Sequence, residues 1–137
     1  MPHLFIHWTE ANETGISIID EQHRALTSLI NSFHYHKNDP HIERILVPTA
    51  EMTINFAKIH FITEEQLMEE SAYPALEEHV QAHRKLFRKL IEVETRTRKA
   101  RDADGFLEFL KTWWLGHVSQ YDWNYVPHLK EFFGDRI

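Results

Sequence analysis

The sequence predicts an all-α fold, an antiparallel up-and-down four-helix bundle, on three observations. Apolar residues recur at three- and four-residue steps through four successive segments. Only 4 Gly and 5 Pro fall in 137 residues, which suits long helices better than many short strands. The connections between segments are short, which makes consecutive helices antiparallel neighbours. There is no internal repeat, low-complexity stretch or linker, so residues 1–137 are expected to form one domain.

The first helix is predicted over residues 18–36, where Ile19, His23, Leu26, Ile30 and Phe33 share a stripe. Asp39-Pro40 then punctuates the chain, with Asp suited to an N-cap and Pro to a first helical position. The second helix is predicted over residues 42–70, with Met52, Phe56, His60, Glu64 and Leu67 or Met68 facing inward. Pro48 either kinks this helix near its start or marks its beginning. After the break at Ser71-Ala72-Tyr73-Pro74, a third helix is expected over residues 74–99. Its stripe is Leu76, His79, His83, Phe87 (or Leu86) and Leu90. Residues 94–104 are dense in charge and read as a solvated helix end and turn. The fourth helix is predicted from residues 102–104 to about 125, with Phe106, Leu110, Trp113 and His117 along one face. Pro127 is expected to end or bend it, leaving a short tail.

Composition narrows the chemistry. A net charge of −6 does not suit a nucleic-acid binder. The absence of cysteine removes disulfides, thiolate metal sites, iron–sulfur clusters and cysteine nucleophiles. No window approaches a membrane span, and residues 1–8 lack the pattern of a signal peptide. A soluble, cytoplasmic protein is therefore expected. The unusual number is 11 histidines. His3, His7, His34, His36, His41 and His128 fall near turns, the start or a proline. His23, His60, His79, His83 and His117 fall inside apolar-periodic segments.

Those five, with Glu64 and Asp122, place metal-ligand types on the inner face of all four predicted helices. Residues four apart on a helix point the same way, so His60 with Glu64, and His79 with His83, can each address one point. Buried imidazoles and carboxylates need partners. A cation supplies them, and imidazole with carboxylate suits iron, zinc, manganese or copper. A lone inward histidine is more often a hydrogen-bonded core residue. The combination across four helices is what favours a metal. His117 and Asp122 stand five apart, which splays them on an ideal helix, so a local π-type widening is expected near residues 119–122.

At these residues the chain resembles the hemerythrin family, in particular its single-domain bacterial members. The resemblance runs through Trp8, Gly15-Ile16, Asp20-Glu21-Gln22-His23, His60-Phe61-Ile62-Thr63-Glu64-Glu65, Met68, Tyr73-Pro74, His79 with His83, and His117 with Asp122. It implies two non-haem irons with an oxo or hydroxo bridge. His79, His83 and His117 would hold one iron and His23 and His60 the other, with Glu64 and Asp122 bridging. Dioxygen would bind reversibly at the open position of the His23/His60 iron, for carriage, storage or delivery rather than catalysis. Phe33, Phe56, Phe61, Phe87, Trp113 and Trp114 are candidate walls around that position. Trp114 departs from the Leu usual in the family at this place and is expected to reshape ligand access.

Two other functions and one structural role remain open at this level. One is a di-iron oxidase or peroxidase-type enzyme, although no Glu here has a His three residues later, as the carboxylate-rich oxidases require. The other is an oxygen, redox or iron sensor read out by a partner protein, with Lys58, Lys85, Arg88 or the basic run at 96–101 as contact surface. An oxygen-using enzyme is a further possible partner. A structural bundle that holds zinc or no metal is the third alternative.

Overall fold

The computed structural model describes residues 5–100, 102–113 and 122–137, with the backbone alone at Ile42, Glu43 and Asp122. Among the described residues five α-helices follow one another: α1 (Ser17–His36), α2 (Ile42–Glu70), α3 (Leu76–Ala100), α4 (Ala103–Trp113) and α5 (Val126–Phe133). There is no strand among the described residues. Helix α1 packs on α2, α2 on α3, α3 on α4, and α4 closes the ring against α1. With short turns between them, this is the expected up-and-down bundle.

Entry into α1 is fixed by a carboxylate rather than by a capping side chain. Asp20 Oδ1 accepts hydrogen bonds from Thr14 N (2.8 Å) and Thr14 Oγ1 (2.9 Å), and Oδ2 accepts from Gly15 N (3.0 Å). Gly15 has φ 84°, a left-handed conformation that glycine adopts without steric cost. Asp39 does not cap α2 as expected. Its carboxylate accepts from His41 N at 2.8 Å in the turn, and the helix begins one residue later, at Ile42. Pro48 lies inside α2, so it does not mark the start of the helix. It is exposed, and the backbone bond it removes lies on the solvent side.

The α2–α3 corner is a six-to-one turn: Tyr73 N donates to Met68 O (2.9 Å) and Ala72 N to Glu69 O (3.1 Å). This Schellman arrangement needs a left-handed residue after the helix, and Ala72 supplies it at φ 55°. Helix α3 starts at Leu76 rather than 74. Its far end is less solvated than its charge suggests: Val93, Glu94 and Thr97 are buried. Arg98 Nε holds Glu94 Oε1 at 2.7 Å, and Thr97 Oγ1 donates to Val93 O at 2.8 Å.

Met52 and Pro127 differ from expectation. Met52 is 59% exposed, and the buried line of α2 runs instead through Leu46, Ala50, Thr53, Ala57, His60, Glu64 and Met68. Pro127 opens a helix, at the first turn of α5, where its missing N–H costs nothing. The tail it begins is packed. Tyr125, Val126, Leu129 and Phe133 form an apolar cluster with Ile16, Ile19 and Met68. A second, larger cluster gathers Leu26, Ile30, Phe33, Ala57, Phe61, Leu90, Phe106, Leu110 and Trp113, among others.

Candidate metal centre

The polar residues lie in the layer between these two clusters. On α1, His23 separates Ile19 in one cluster from Leu26 in the other. On α2, His60 and Glu64 separate Ala57 from Met68. On α3, His79 and His83 separate Leu76 from Leu90. The apolar periodicity of each helix thus continues through the layer while the residue type changes from apolar to ligand. All five side chains are buried, and Glu64 is 0% exposed.

Glu64 stands at the centre. Its Oε1 lies 2.6 Å from His60 Nε2 and 3.7 Å from His83 Nε2, and its Oε2 lies 3.8 Å from His79 Nε2. His23 Nε2 faces His60 Nε2 at 3.1 Å. One ligand atom each from Glu64, His79 and His83 falls within 4.8 Å of the others. The structure therefore brings together five of the seven sequence-predicted residues. His117 lies outside the described residues. The backbone of Asp122 opens a 3-10 turn, Asp122–Asn124, and its side chain is outside the description. The expected π-type widening at residues 119–122 also falls mostly outside it. In sequence, His117 and Asp122 lie between Trp113 of one cluster and Tyr125 of the other, as the candidate ligands of α1, α2 and α3 do.

Hydrogen bonding assigns the imidazole tautomers. Thr63 Oγ1 donates to Ile59 O (2.9 Å), so it accepts from the Gln22 amide nitrogen at 3.0 Å. That turns Gln22 Oε1 toward His60 Nδ1 at 2.9 Å, and Nδ1–H must be the donor. The Nε2 lone pair of His60 then points at Glu64. Likewise His83 Nδ1 donates to Glu65 Oε2 at 3.0 Å, which leaves Nε2 directed inward. Lone pairs and a buried carboxylate that converge in this way suit a cation, and outer hydrogen bonds to the distal nitrogens orient such ligands. The donor set fits iron, and equally the other metals that imidazole and carboxylate bind. In the sequence Gln22, Thr63 and Glu65 stand out only as part of the family resemblance, with no role of their own. Their signal is adjacency: each sits one residue from a ligand, on the shoulder of the same helix face.

The Glu65 carboxyl is pushed above its ordinary range, first by burial and then by the Glu64 charge. Phe61 stacks on His83 with ring centroids 4.2 Å apart and meets Trp113 edge-on at 6.2 Å. Of the candidate walls, Phe61 thus touches the layer directly. Phe33 packs edge-on against Phe106, 5.9 Å away in the larger cluster, and Phe56 and Phe87 are half-buried at the edge of that cluster. Trp114 lies outside the described residues. A cavity of about 190 Å³, walled by Phe61, Ile62, Phe87, Lys58 and Glu65, reaches His83 from the surface. His128, read from sequence as peripheral, donates from Nε2 to Ser71 O at 2.7 Å and ties α5 to the α2–α3 corner. No helix among the described residues is long and apolar enough to cross a membrane.

A family model described as the hemerythrin HHE cation binding domain matches residues 14–129. A bacteriohemerythrin of Stenotrophomonas maltophilia is 28% identical over 125 residues, 90% of this chain and 80% of its own length. A bacteriohemerythrin of Pseudomonas aeruginosa is 27% identical over 138 residues, 100% of this chain and 88% of its own. A hemerythrin of Themiste dyscrita is 27% identical over 119 residues, 86% of this chain and 88% of its own. A crystal structure of a hemerythrin point mutant superposes with a TM-score of 0.82 at 21% identity, covering 93% of this chain and 98% of that one. That likeness concerns the fold.

Proposed function

We propose that this chain, which belongs to the family of hemerythrin HHE cation-binding domains, binds dioxygen reversibly at two non-haem irons in its core. The observation that carries the reading is the buried Glu64 carboxylate, approached by imidazole nitrogens from its own helix and from α3. His23 and His60 are assigned to one iron, and His79, His83 and His117 to the other. Glu64 and Asp122 are assigned as bridges, with an oxo or hydroxo group as the third. When bound, the iron pair would supply the two electrons by which dioxygen is captured and released.

The protein's own part is holding, orienting and excluding water. Gln22 and Glu65 fix the imidazoles with their lone pairs inward. The apolar clusters on either side of the layer keep water and stray protons from it. Five neutral imidazoles against two carboxylates give a centre of low anionic charge, and that supports reversible binding over oxidative chemistry.

Anaerobic reduction, admission of oxygen and its removal, followed by absorption spectra with iron analysis, test this. A charge-transfer band that comes and goes with oxygen, at two irons per chain, is the expected result. Irreversible oxidation without an oxygenated species would overturn reversible binding in favour of an enzyme or redox sensor. Full helical structure with no iron retained would overturn the metal assignment.

A further inference from the structure

Helix α2 carries a second apolar stripe, opposite its core face. Ile45, Met52, Ile59 and Ile62 are 43%, 59%, 56% and 57% exposed. Four of the nine exposed large hydrophobics among the described residues thus share one side of one helix. They fall seven apart at 45, 52 and 59, with 62 three further on, which are the a and d positions of a heptad. Pro48 and Asn55, both exposed, occupy the intervening d positions. The stripe is about 27 Å long, from 1.5 Å of rise per residue. The position before each a residue carries Arg44, Glu51, Lys58 and Glu65, so the charge alternates along the edge. Arg44, Glu51 and Lys58 make no ion pair among the described residues.

We propose that this stripe is a homodimer interface, on which a second copy of the chain lays its own α2 antiparallel about a two-fold axis between residues 53 and 54. In an antiparallel helix pair, a residues meet d residues and g residues meet g residues. The axis sets Ile45 against Ile62 of the partner subunit, Pro48 against Ile59 of the partner subunit, and Met52 against Asn55 of the partner subunit. The same register places Arg44 beside Glu65 of the partner subunit and Glu51 beside Lys58 of the partner subunit. Every flanking contact is then between opposite charges. Glu65 keeps its bond to His83 through Oε2 and meets the arginine through its other oxygen.

A parallel pair does not use these charges. It would set g residues against Thr49, Phe56 and Thr63 at the e positions. The charge pattern is therefore complementary to itself only in the antiparallel sense, and a two-fold contact of that kind closes at two copies. Asn55 within the stripe favours one register over slipped ones.

Sedimentation velocity on the iron-loaded full chain tests the proposal. A dimer that dissociates on dilution through the micromolar range is expected, and Ile59→Glu should sediment as a monomer with unchanged helical circular dichroism. Lys58→Glu and Glu51→Lys should each weaken the dimer roughly tenfold, and the two together should restore it. The chain has no cysteine, so orientation can be read by cross-linking. An equal mixture of Met52→Cys and Asn55→Cys should join mainly as the mixed pair. A monomer throughout the micromolar range, or a dimer that survives Ile59→Glu, would overturn the interface. Preferred joining of Met52→Cys to itself would overturn the antiparallel register.

Discussion

His60 Nδ1 lies 2.9 Å from Gln22 Oε1, and this contact across α1 and α2 decides which imidazole nitrogen of His60 faces Glu64. Replacing Gln22 with Leu leaves the tautomer unfixed and strands a donor. Iron should then be lost to a competing chelator 10- to 100-fold more readily, the usual scale for outer hydrogen bonds to metal-bound histidine, about one to two orders of magnitude. Gln22→Glu keeps the acceptor and should retain most of the affinity. Equal chelator resistance in Gln22→Leu and the parent would remove the orienting role.

Asp20 should matter to stability more than a typical surface carboxylate. It is buried and accepts three hydrogen bonds that hold the chain at Thr14 and Gly15. Asp20→Ala leaves those donors without a partner, at a cost of about 2–3 kcal/mol. Urea unfolding should show it as a lower midpoint with little change in slope. Asp20→Asn should lose less, because one oxygen can still accept. A midpoint shift no larger for Ala than for Asn would contradict this account.

Glu13 offers a test by pH. Arg24 Nη2 donates to Glu13 Oε1 at 2.6 Å, and this bond first, with Trp8 second, holds the Glu13 carboxyl below its ordinary value. A carboxyl depressed in the folded state stabilises above its unfolded pKa, and that contribution is lost as pH falls through the folded one. Glu13 is exposed, so the effect on stability should be small and weakened by salt. An NMR titration should place Glu13 below free glutamate, and Arg24→Gln should return it upward. No movement in Arg24→Gln would refute the pairing.

The buried polar layer is legible in the sequence because each of its residues sits where helical periodicity calls for an apolar one. His23, His60, Glu64, His79 and His83 are all buried on the inner faces where the periodicity puts them. Met52 is not. Counting back from Glu64 in steps of four turns the helix about 40° too far each time, so three steps accumulate roughly 120°. The buried line keeps its direction by alternating steps of three and four, through Ala50, Thr53, Ala57 and His60. Glu94 and Thr97 were hidden by charge density, since polarity alone does not reveal that α4 folds back over the end of α3. The packed tail is not legible in the sequence because Pro127 stops one helix and begins another with equal ease. Gln22 and Glu65 could not be distinguished from ordinary surface polar residues until the neighbouring helix was in place.

Ala72 is the position where the sequence leaves stability unused. Its φ of 55° costs an L-residue about 1–2 kcal/mol relative to its right-handed form. The turn keeps the conformation because Tyr73 N and Ala72 N close the end of α2 on Met68 O and Glu69 O. Glycine meets the same dihedral without the Cβ clash but gives up more freedom on folding. The first effect should win, because the strain is local and the residue is exposed, with no side-chain packing to lose. Ala72→Gly should therefore stabilise the protein by about 0.5–1 kcal/mol. Thermal unfolding of the iron-loaded protein, read by circular dichroism, should show a rise of a few degrees. Ala72→Val should go the other way, because a β-branched side chain crowds the left-handed conformation further. If Gly and Val shifted the midpoint in the same direction, the left-handed turn at Ala72 would not govern this end of the helix.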